Sequence, residues 1–366
     1  MAACLSFDPA QHIPRSKLAT LDRVSQLGLT SALSAWDMSG LDSLDEDRRN
    51  EACVFWSTGN GGSSTIERSY RDLFLKGRSR ISPLSVVLGM FNASASHIAM
   101  HLRLGGDCLT YSVACASSAV AIGEAYRKIA SGHTQVAIAG GSEAAMPYAP
   151  AKAWESLHVM ATSAATPEQA CTPFDAQRGG LILGEGAACL VLEDREHAVA
   201  RGARILAEVR GYACTSDHTH MTTPDKGGQV RALQKALADA QLAPKDIGYV
   251  NAHGTATTEG DPVEIQALRE VLGDHAAQTP VSSTKSMHGH LLGAAGALEA
   301  LVTIMALGKK LIPPTAHTRE LDPECRGVLH VLSTSLPKPD LQYAISNSFA
   351  FGGTNAVLVL GAPEPH

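Results

Sequence analysis

"YSVACASSAVAIGEAYRKIASG", residues 111–132, places one cysteine, Cys115, among small side chains. An apolar stripe at helical spacing follows it, formed by Ala119, Ile122, Tyr126 and Ile129. The stripe predicts a helix that begins beside the cysteine and ends at Gly132. A cysteine in the first turn of a helix lies at the positive end of the helix dipole, which stabilises a thiolate. The stretch is therefore consistent with a nucleophile and, equally, with a small buried side chain.

Outward from this stretch, apolar runs of strand character alternate with helical patterns. Strands are predicted within 52–59, 135–144, 187–194, 203–216, 246–255 and 343–361. Helices are predicted from 196 and within 230–242 and 293–310. Continuous apolar strands flanked by helices are typical of an α/β layered fold. The longest irregular polar segment, 162–180, is expected to cover a site or to cross between two halves of the chain.

The composition excludes several classes of function. The chain has 366 residues and a net charge of −6, so neither nucleic acid nor an anionic membrane is an expected partner. No run approaches ~18 consecutive apolar residues, and the first residues lack a secretory pattern, so we expect no membrane span. The eight cysteines form no CxxC pair. They predict reduced thiols in a cytoplasmic enzyme and no metal site.

A second motif, NAHGTATTEGD at 251–261, carries His253 from the end of a predicted strand into a polar loop. A histidine in such a position can donate a hydrogen bond to a substrate or act as a base. The alternative is a histidine that merely satisfies the hydrogen bonds of a turn.

A third motif, STKSMHGHLLGAAG at 283–296, places Lys285 and His290 just before a long apolar helix. Small and apolar neighbours favour partial burial, whereas a solvated loop is the ordinary setting for both side chains. Glu299, on the following helix, is placed to balance the charge of Lys285.

A fourth motif, NSFAFGGTN at 347–355, contains Gly352–Gly353. The two glycines predict a tight turn whose N–H groups can face an oxyanion. Phe349 and Phe351 would line a pocket beside it. Taken alone, the motif is equally consistent with an ordinary hairpin turn.

All four motifs lie at the ends of predicted elements, where α/β folds place their chemistry. Together they supply a cysteine, two histidines, a lysine and a glycine turn, a set suited to thioester chemistry. The thiolate would take an acyl group from a carrier thioester. Two neutral imidazoles would stabilise the charge on a second thioester as carbon dioxide leaves, and the carbanion would then attack the acylated cysteine.

The motifs ACASS, NAHGT, KSxxGHLLGAAG and NSFxFGGTN, in this order, resemble those of the β-ketoacyl-acyl-carrier-protein synthases, and among them the FabF-like (KAS II) branch. Further matching segments are GGSEA, TPFDAQRGGLILGEGA, HMTTP and DPEC, so the resemblance covers nearly the whole chain. His253 fits the elongating branch, because initiating synthases carry asparagine there. A thiolase would need a second cysteine near the C-terminus, and FAFGGTN contains none. A chain-length-factor subunit would lack the nucleophile that Cys115 supplies.

The resemblance implies a thiolase-like fold, in which two similar βαβαβ halves build five helix and sheet layers. We expect residues 1–198 to form the half with the nucleophile, and residues 199–366 the half with both histidines and the glycine-rich gating loop. Family members open with a glycine-rich strand and helix, and this sequence starts after that unit. The fold is therefore expected to lack its usual first strand, which we expect inside the sheet.

The resemblance also implies roles for single residues. The catalytic set is Cys115, His253, His290 and Lys285, with Glu299 as the salt partner of the lysine. The predicted substrate-binding residues are Thr255, Thr257, Phe349 and Gly352, with the threonines on the phosphopantetheine arm. Phe351 would be the gate, and its N–H with that of Cys115 would form the oxyanion hole.

The function implied is that of an acyltransferase that condenses a cysteine-bound acyl chain with malonyl-acyl carrier protein in fatty acid biosynthesis. The alternatives are a ketosynthase of a type II polyketide or polyene pathway and a partner subunit of a heterodimeric ketosynthase. The implied partners are acyl carrier protein and a second chain, in a homodimer or a heterodimer, and no cofactor or metal is expected. Ala350 and Gly179 stand where the family usually has glycine and aspartate, which favours specialised metabolism.

Overall fold

The three strands predicted in the first half of the chain are present, together with one short strand and several helices that the sequence analysis did not predict. The computed structural model describes residues 2–144, 147–161 and 166–364. The strands of this half are β1 Cys53–Ser57, β2 Cys108–Tyr111, β3 Val136–Glu143 and β4 Gly186–Glu193. The helices are α1 Arg15–Leu18, α2 Arg23–Ser39, α3 Glu46–Glu51, α4 Ser63–Phe74, α5 Leu84–Gly89, α6 Ala93–Leu102, α7 Ser117–Ala130, α8 Tyr148–Ser156 and α9 Arg195–Ala200. The sheet order is β2-β1-β3-β4, with β4 antiparallel to β3.

The second half repeats this pattern with a larger sheet. Its strands are β5 Glu208–Ser216, β6 Ile247–Asn251, β7 Pro280–Ser282, β8 Leu311–Ile312, β9 Leu329–His330, β10 Leu336–Pro337, β11 Tyr343–Phe349 and β12 Thr354–Gly361. Its helices are α10 Lys226–Asp239, α11 Gly260–Leu272, α12 Lys285–His288 and α13 Ala295–Lys309. The main sheet has the order β5-β12-β11-β6-β7-β9, and β8 pairs separately with β10. The boundary predicted at residue 198 lies within α9.

Three apolar clusters divide the fold into five layers. The central cluster joins α7 and α13 to both sheets through residues such as Ile122, Ala300, Phe55 and Leu358. On the outer face of the first sheet, α2 and α6 pack against β1 and β3. On the outer face of the second sheet, α10 and α11 do the same. The helix–sheet–helix–sheet–helix order confirms the predicted thiolase-like architecture.

A comparison of the two sheets corrects one expectation. In the second sheet the last strand, β12, lies between β11 and β5. Its counterpart in the first sheet is β4, which pairs with β3, and no other strand flanks it in the described ranges. A strand corresponding to β5 would therefore lie at the edge of the first sheet, beside β4. The expectation that the first strand lies inside the sheet is wrong.

One segment, Leu292–Lys309, is long and apolar enough to cross a membrane, with a mean hydropathy of 1.4. It includes α13, and 61% of it is buried inside the protein. The helix is apolar because both sheets cover it, as in the core of a layered α/β fold.

Candidate active site

Cys115 lies in a single 3₁₀ turn, Ala114–Ala116, that leads directly into α7. Ser117 shapes this turn, because its hydroxyl donates to the carbonyl of Ala114 at 2.6 Å and accepts from the N–H of Val113 at 2.8 Å. Ala114 has a φ of 49°, in the left-handed region that residues with a side chain rarely adopt. These bonds hold a strained backbone and present the cysteine at the start of α7, as predicted.

The thiol of Cys115 is buried. Burial raises the pKa of Cys115 to about 11. The positive charge of Lys285 and hydrogen bonds from the N–H groups of Phe351 and Cys115 act in the opposite direction. Desolvation outweighs them, which favours the thiol over the thiolate in this conformation, whereas the sequence left a nucleophile and a small buried side chain equally open.

The second half of the chain supplies both histidines. His253 follows β6, and His290 follows α12. Their rings meet edge to face with centroids 5.5 Å apart. One nitrogen of each ring and the sulfur of Cys115 all lie within 4.8 Å of one another. The structure thus brings together three side chains that three separate motifs supply.

Both histidines are neutral at pH 7. Burial lowers the pKa of His253 and of His290 well below the ordinary histidine value, and the charge of Lys285 lowers both further. Lys285 Nζ lies 3.5 Å from His253 Nδ1, so the ammonium donates to that nitrogen and the proton of the neutral ring is on Nε2. Neither ring nitrogen of His290 has a partner in the described part of the chain. Two neutral imidazoles therefore offer N–H donors beside the thiol.

Lys285 and Glu299 form the predicted ion pair, and both side chains are completely buried. Burial raises the pKa of Glu299 to about 7, although Lys285 acts to lower it. The pair holds a cation beside His253 with a balancing charge. A thiol and two imidazoles are also ligands that suit zinc, but an ammonium this close opposes a second cation.

Glu264, on α11, is a site residue that the motifs did not reveal. Its carboxylate accepts from the N–H groups of His253 and Gly254, both at 2.8 Å, and from the amide of Asn347 at 2.9 Å. It therefore ties the histidine loop to β11, the strand that leads to the gating loop. The only sequence signal for Glu264 was an acidic residue on the helix that follows the histidine loop. The charged residues near it in the sequence are of the kind expected on a solvated surface.

Arg178 holds the loop that carries the two predicted threonines. Its guanidinium donates to the carbonyls of Thr257 and Thr258, both at 2.8 Å, and pairs with Asp322. The hydroxyls of Thr255 and Thr257 lie 3.1 Å apart, and both residues line the cavity above Cys115. Their contact with a phosphopantetheine arm stays a prediction.

Phe351 lines the same cavity as the nucleophile, and its N–H bonds to the sulfur of Cys115. Its ring stacks on Trp154 from α8, with centroids 5.8 Å apart and planes within 13°. Phe349, at the end of β11, packs its ring 6.1 Å from that of His253. The sequence analysis did not single out Trp154, because no motif surrounds it.

In the glycine turn, the N–H of Gly352 is already bonded to another backbone group, which the sequence did not predict. Gly352 and Gly353 have φ of 85° and 74°, which only glycine adopts without strain. The N–H of Gly352 donates to the carbonyl of Met221 at 2.7 Å, and the residue that lines the cavity is Gly353. Ala350 is outside the left-handed region, so its methyl group imposes no strain in this conformation. The predicted role of Gly352 in substrate binding stays a prediction.

These residues surround one cavity of about 380 Å³. Its wall includes the triad of Cys115, His253 and His290. It also includes the two threonines and the two phenylalanines of the predicted set, together with Trp154, Leu181 and Asp217. A thiol, two neutral N–H donors and a wall of both polar and apolar side chains in one cavity can bind and transfer an acyl thioester.

Comparison with known proteins gives a consistent result. The model of the β-ketoacyl synthase N-terminal domain matches residues 4–198, and that of the β-ketoacyl synthase C-terminal domain matches residues 206–319. The chain is 43% identical to nodulation protein E of Rhizobium leguminosarum bv. trifolii over 350 residues, which cover 96% of this chain and 85% of the relative. It is 37% identical to 3-oxoacyl-[acyl-carrier-protein] synthase 2 of Coxiella burnetii over 356 residues, which cover 97% and 85%.

Solved structures share the fold. The ishigamide ketosynthase/chain length factor superposes with a TM-score of 0.90 at 33% identity, covering 99% of this chain and 87% of that one. A type II polyketide ketosynthase, AntDE, in complex with its acyl carrier protein AntF superposes with a TM-score of 0.89 at 28% identity, covering 93% and 85%. With both domain models matched and the cysteine and two histidines gathered in one cavity, this chain is a member of the β-ketoacyl synthase family.

Proposed function

We propose that the protein condenses an acyl chain on Cys115 with malonyl-acyl carrier protein, with loss of carbon dioxide. The observation that carries this is the convergence of one thiol and two neutral imidazoles within 4.8 Å in a buried cavity. The steps balance without a redox cofactor or a metal, because one C–C bond breaks as another forms.

In the first step, the sulfur of Cys115 bonds to the carbonyl carbon of an acyl thioester. The C–S bond to the carrier breaks, and the thiol proton passes to the departing carrier thiolate. The N–H groups of Cys115 and Phe351 both contact the sulfur, so they are in place to stabilise the oxyanion formed at that carbon.

In the second step, a malonyl thioester loses carbon dioxide. Its C–C bond breaks, and the electron pair moves onto the thioester as an enolate. N–H donors of His253 and His290 stabilise the oxygen of this enolate, and the Lys285 ammonium holds the His253 proton on Nε2. The carbanion then attacks the acyl carbon, the bond to Cys115 breaks with its electron pair on sulfur, and the thiolate takes up a proton from water.

The direct test is an incubation of the purified protein with an acyl-acyl carrier protein and malonyl-acyl carrier protein. We expect a β-ketoacyl product two carbons longer than the primer, detected by mass on the carrier, and one carbon dioxide for each product. A folded protein that forms neither an acyl adduct nor this product would contradict the proposal.

The pH dependence of decarboxylation tests the state of the histidines. We expect the rate constant to change less than about twofold between pH 8 and pH 6, because both imidazoles titrate well below the ordinary value. An imidazole with the ordinary pKa of about 6.5 would keep only about a quarter of its neutral form at pH 6. Release of carbon dioxide from malonyl-acyl carrier protein, measured without primer, reports this step, and a fourfold loss would contradict neutral donors with depressed pKa values.

Polyketide assembly is the second candidate pathway. The likeness to two ketosynthases of that kind favours it, and the chemistry at Cys115 would be the same. Competition between saturated acyl and polyketone primers for Cys115 separates the two pathways, since a fatty acid enzyme favours the saturated primer.

The proposed partners are an acyl carrier protein and a second copy of this chain. The relative from Coxiella burnetii is named for a carrier substrate, and AntDE is bound to one. All eight cysteines are free, which supports a reducing, cytoplasmic location.

The free edge of β2 supports the dimer. β2 is an edge strand, and Leu109 on it is 44% exposed. Exposed apolar side chains also occur from α4 to α6, namely Tyr70, Phe74, Leu75, Ile81, Leu84, Val86, Val87, Met90, Phe91 and Met100. An uncovered strand edge with apolar neighbours is a pairing surface.

Leu109→Lys is expected to convert the dimer to a monomer, because it places a charge on the exposed edge strand. Light scattering would show the molar mass halved at micromolar concentration. Leu206→Lys is the matched control, since Leu206 is also 44% exposed but belongs to the second half. A wild-type protein that is monomeric alone and dimeric only with a second ketosynthase-like chain would replace the homodimer with a heterodimer.

A further inference from the structure

Glu143 is a buried carboxylate that no chemical step above uses. It is the last residue of β3 and is completely buried. Four donors converge on it: the N–H groups of Gly59 at 2.7 Å, Gly293 at 3.0 Å and Asn60 at 3.2 Å, and the hydroxyl of Thr58 at 3.2 Å. The end of a strand does not need a side chain with four hydrogen bonds, so these bonds indicate a further role for Glu143.

The donors come from both halves of the chain. Thr58, Gly59 and Asn60 follow β1 in the first half. Gly293 belongs to the 3₁₀ turn Leu292–Ala294 of the second half, three positions after His290. Because the first half also binds the carbonyl of Gly293, through the hydroxyl of Ser57 at 2.9 Å, both backbone polar groups of this glycine are fixed.

The contact is too close to admit a side chain. A Cβ on Gly293 would lie 2.2 Å from the backbone nitrogen of Gly59. Leu292, the preceding residue, has a φ of 47°, so the turn is strained and depends on its surroundings. Leu292 packs in the apolar cluster that contains Cys115, and the N–H of Ala297 donates to Ser118 of α7 at 2.9 Å.

The turn after His290 therefore rests on the first half at two places, the end of β1 and the start of α7. The start of α7 carries the nucleophile. The contact at the end of β1 is made mainly by Glu143. We propose that Glu143 is a positioning residue that fixes Gly293 and thereby sets His290 against Cys115, an inference that rests on the proposed condensation only for its catalytic consequence.

A carboxylate suits this task better than an amide. Oε2 accepts from Gly59 and Gly293, and Oε1 accepts from Asn60 and Thr58. A glutamine would turn its NH₂ group either toward the N–H groups of Gly59 and Gly293 or toward that of Asn60, so at least one backbone donor would lose its acceptor. Its size would be unchanged, so Glu143→Gln loosens this contact between the two halves without opening a cavity.

Asp22→Asn provides the matched control. Asp22 is also a buried carboxylate with several donors, from Val24 and from both the N–H and the hydroxyl of Thr65. All of these belong to the first half, far in sequence from either histidine. The substitution makes the same change from carboxyl to amide but removes no contact with the second half.

We expect Glu143→Gln to lower kcat for condensation at least about tenfold, with KM for malonyl-acyl carrier protein within about twofold. Asp22→Asn should keep kcat within about twofold. Histidine-selective ¹⁵N NMR of the unliganded proteins should show shifted ring signals for His290 in Glu143→Gln and unshifted ones in Asp22→Asn. Equal losses of kcat in both variants, or wild-type kcat and His290 signals in Glu143→Gln, would overturn the proposal.

Ser57→Ala keeps the test open if Glu143→Gln does not fold. It removes the hydroxyl that bonds to the carbonyl of Gly293 at 2.9 Å and, within the first half, to that of Gly140 at 3.1 Å. We expect kcat to fall about two- to fivefold with shifted His290 signals. Unchanged kcat and signals would contradict the proposal. A wild-type protein that neither condenses nor decarboxylates would refute the proposed function, whereas the NMR comparison would still report whether Glu143 positions His290.

Discussion

Cys115→Ala is expected to abolish acylation and to lower condensation at least about 10³-fold, because no other side chain in the cavity can form the acyl thioester. The same variant should still release carbon dioxide from malonyl-acyl carrier protein. His253, His290 and Lys285 remain in place, and decarboxylation needs only their hydrogen bonds. Intact mass after incubation with acyl-acyl carrier proteins of several lengths measures the first half-reaction, and carbon dioxide release measures the second.

Cys189→Ala is the matched control for this experiment. Cys189 is also buried and free, but it lies on β4, away from the cavity. We expect it to acylate like the wild type. An acyl adduct that persists in Cys115→Ala, or that is lost in Cys189→Ala, would contradict the assignment of the nucleophile. If a folded Cys115→Ala protein also lost decarboxylation, that step would depend on Cys115 itself and not only on the two histidines and Lys285.

The convergence of the triad was predictable because each motif lies where an apolar element ends. Cys115 starts a helix, His253 ends a strand and His290 precedes a helix, and layered α/β folds gather such ends at one edge. The strand alternation predicted an α/β layered fold for the same reason, whereas the five layers were implied by the resemblance to the family. These features depend on local pattern, which a sequence carries directly.

The supporting carboxylates were not predictable in this way. Glu143 and Glu264 each accept hydrogen bonds from backbone N–H groups distant in sequence, and such partners leave no pattern in side-chain type. The burial of the thiol was not predictable either, because the side chains packed around Cys115, among them Leu181 and Leu292, come from distant parts of the chain. The position beside β4 that has no counterpart among the described strands depends on sheet order, which the comparison of the two sheets reveals.

Lys285→Ala is expected to destabilise the protein by about 3–5 kcal/mol, the usual consequence of removing one partner from a buried ion pair. Glu299 would remain buried with neither charge nor donor opposite it, and Oε2 already lacks a hydrogen-bond partner in the described residues. Burial raises the pKa of Glu299 above its unfolded value, so protonation favours the folded state. The loss of stability should therefore be smaller at pH 6 than at pH 8, as measured by urea unfolding at both pH values.

The double variant Lys285→Ala, Glu299→Gln separates stability from catalysis. Neutralising Glu299 removes the unpaired charge, so the urea midpoint should recover at least half of the loss at pH 8. Decarboxylation should stay about 10²-fold below the wild type, because His253 lacks the ammonium that holds its proton on Nε2. If activity recovered together with stability, Lys285 would act only as a structural partner of Glu299. If neither recovered, the two residues would be coupled to further groups in the core, for which Glu264 is the first candidate.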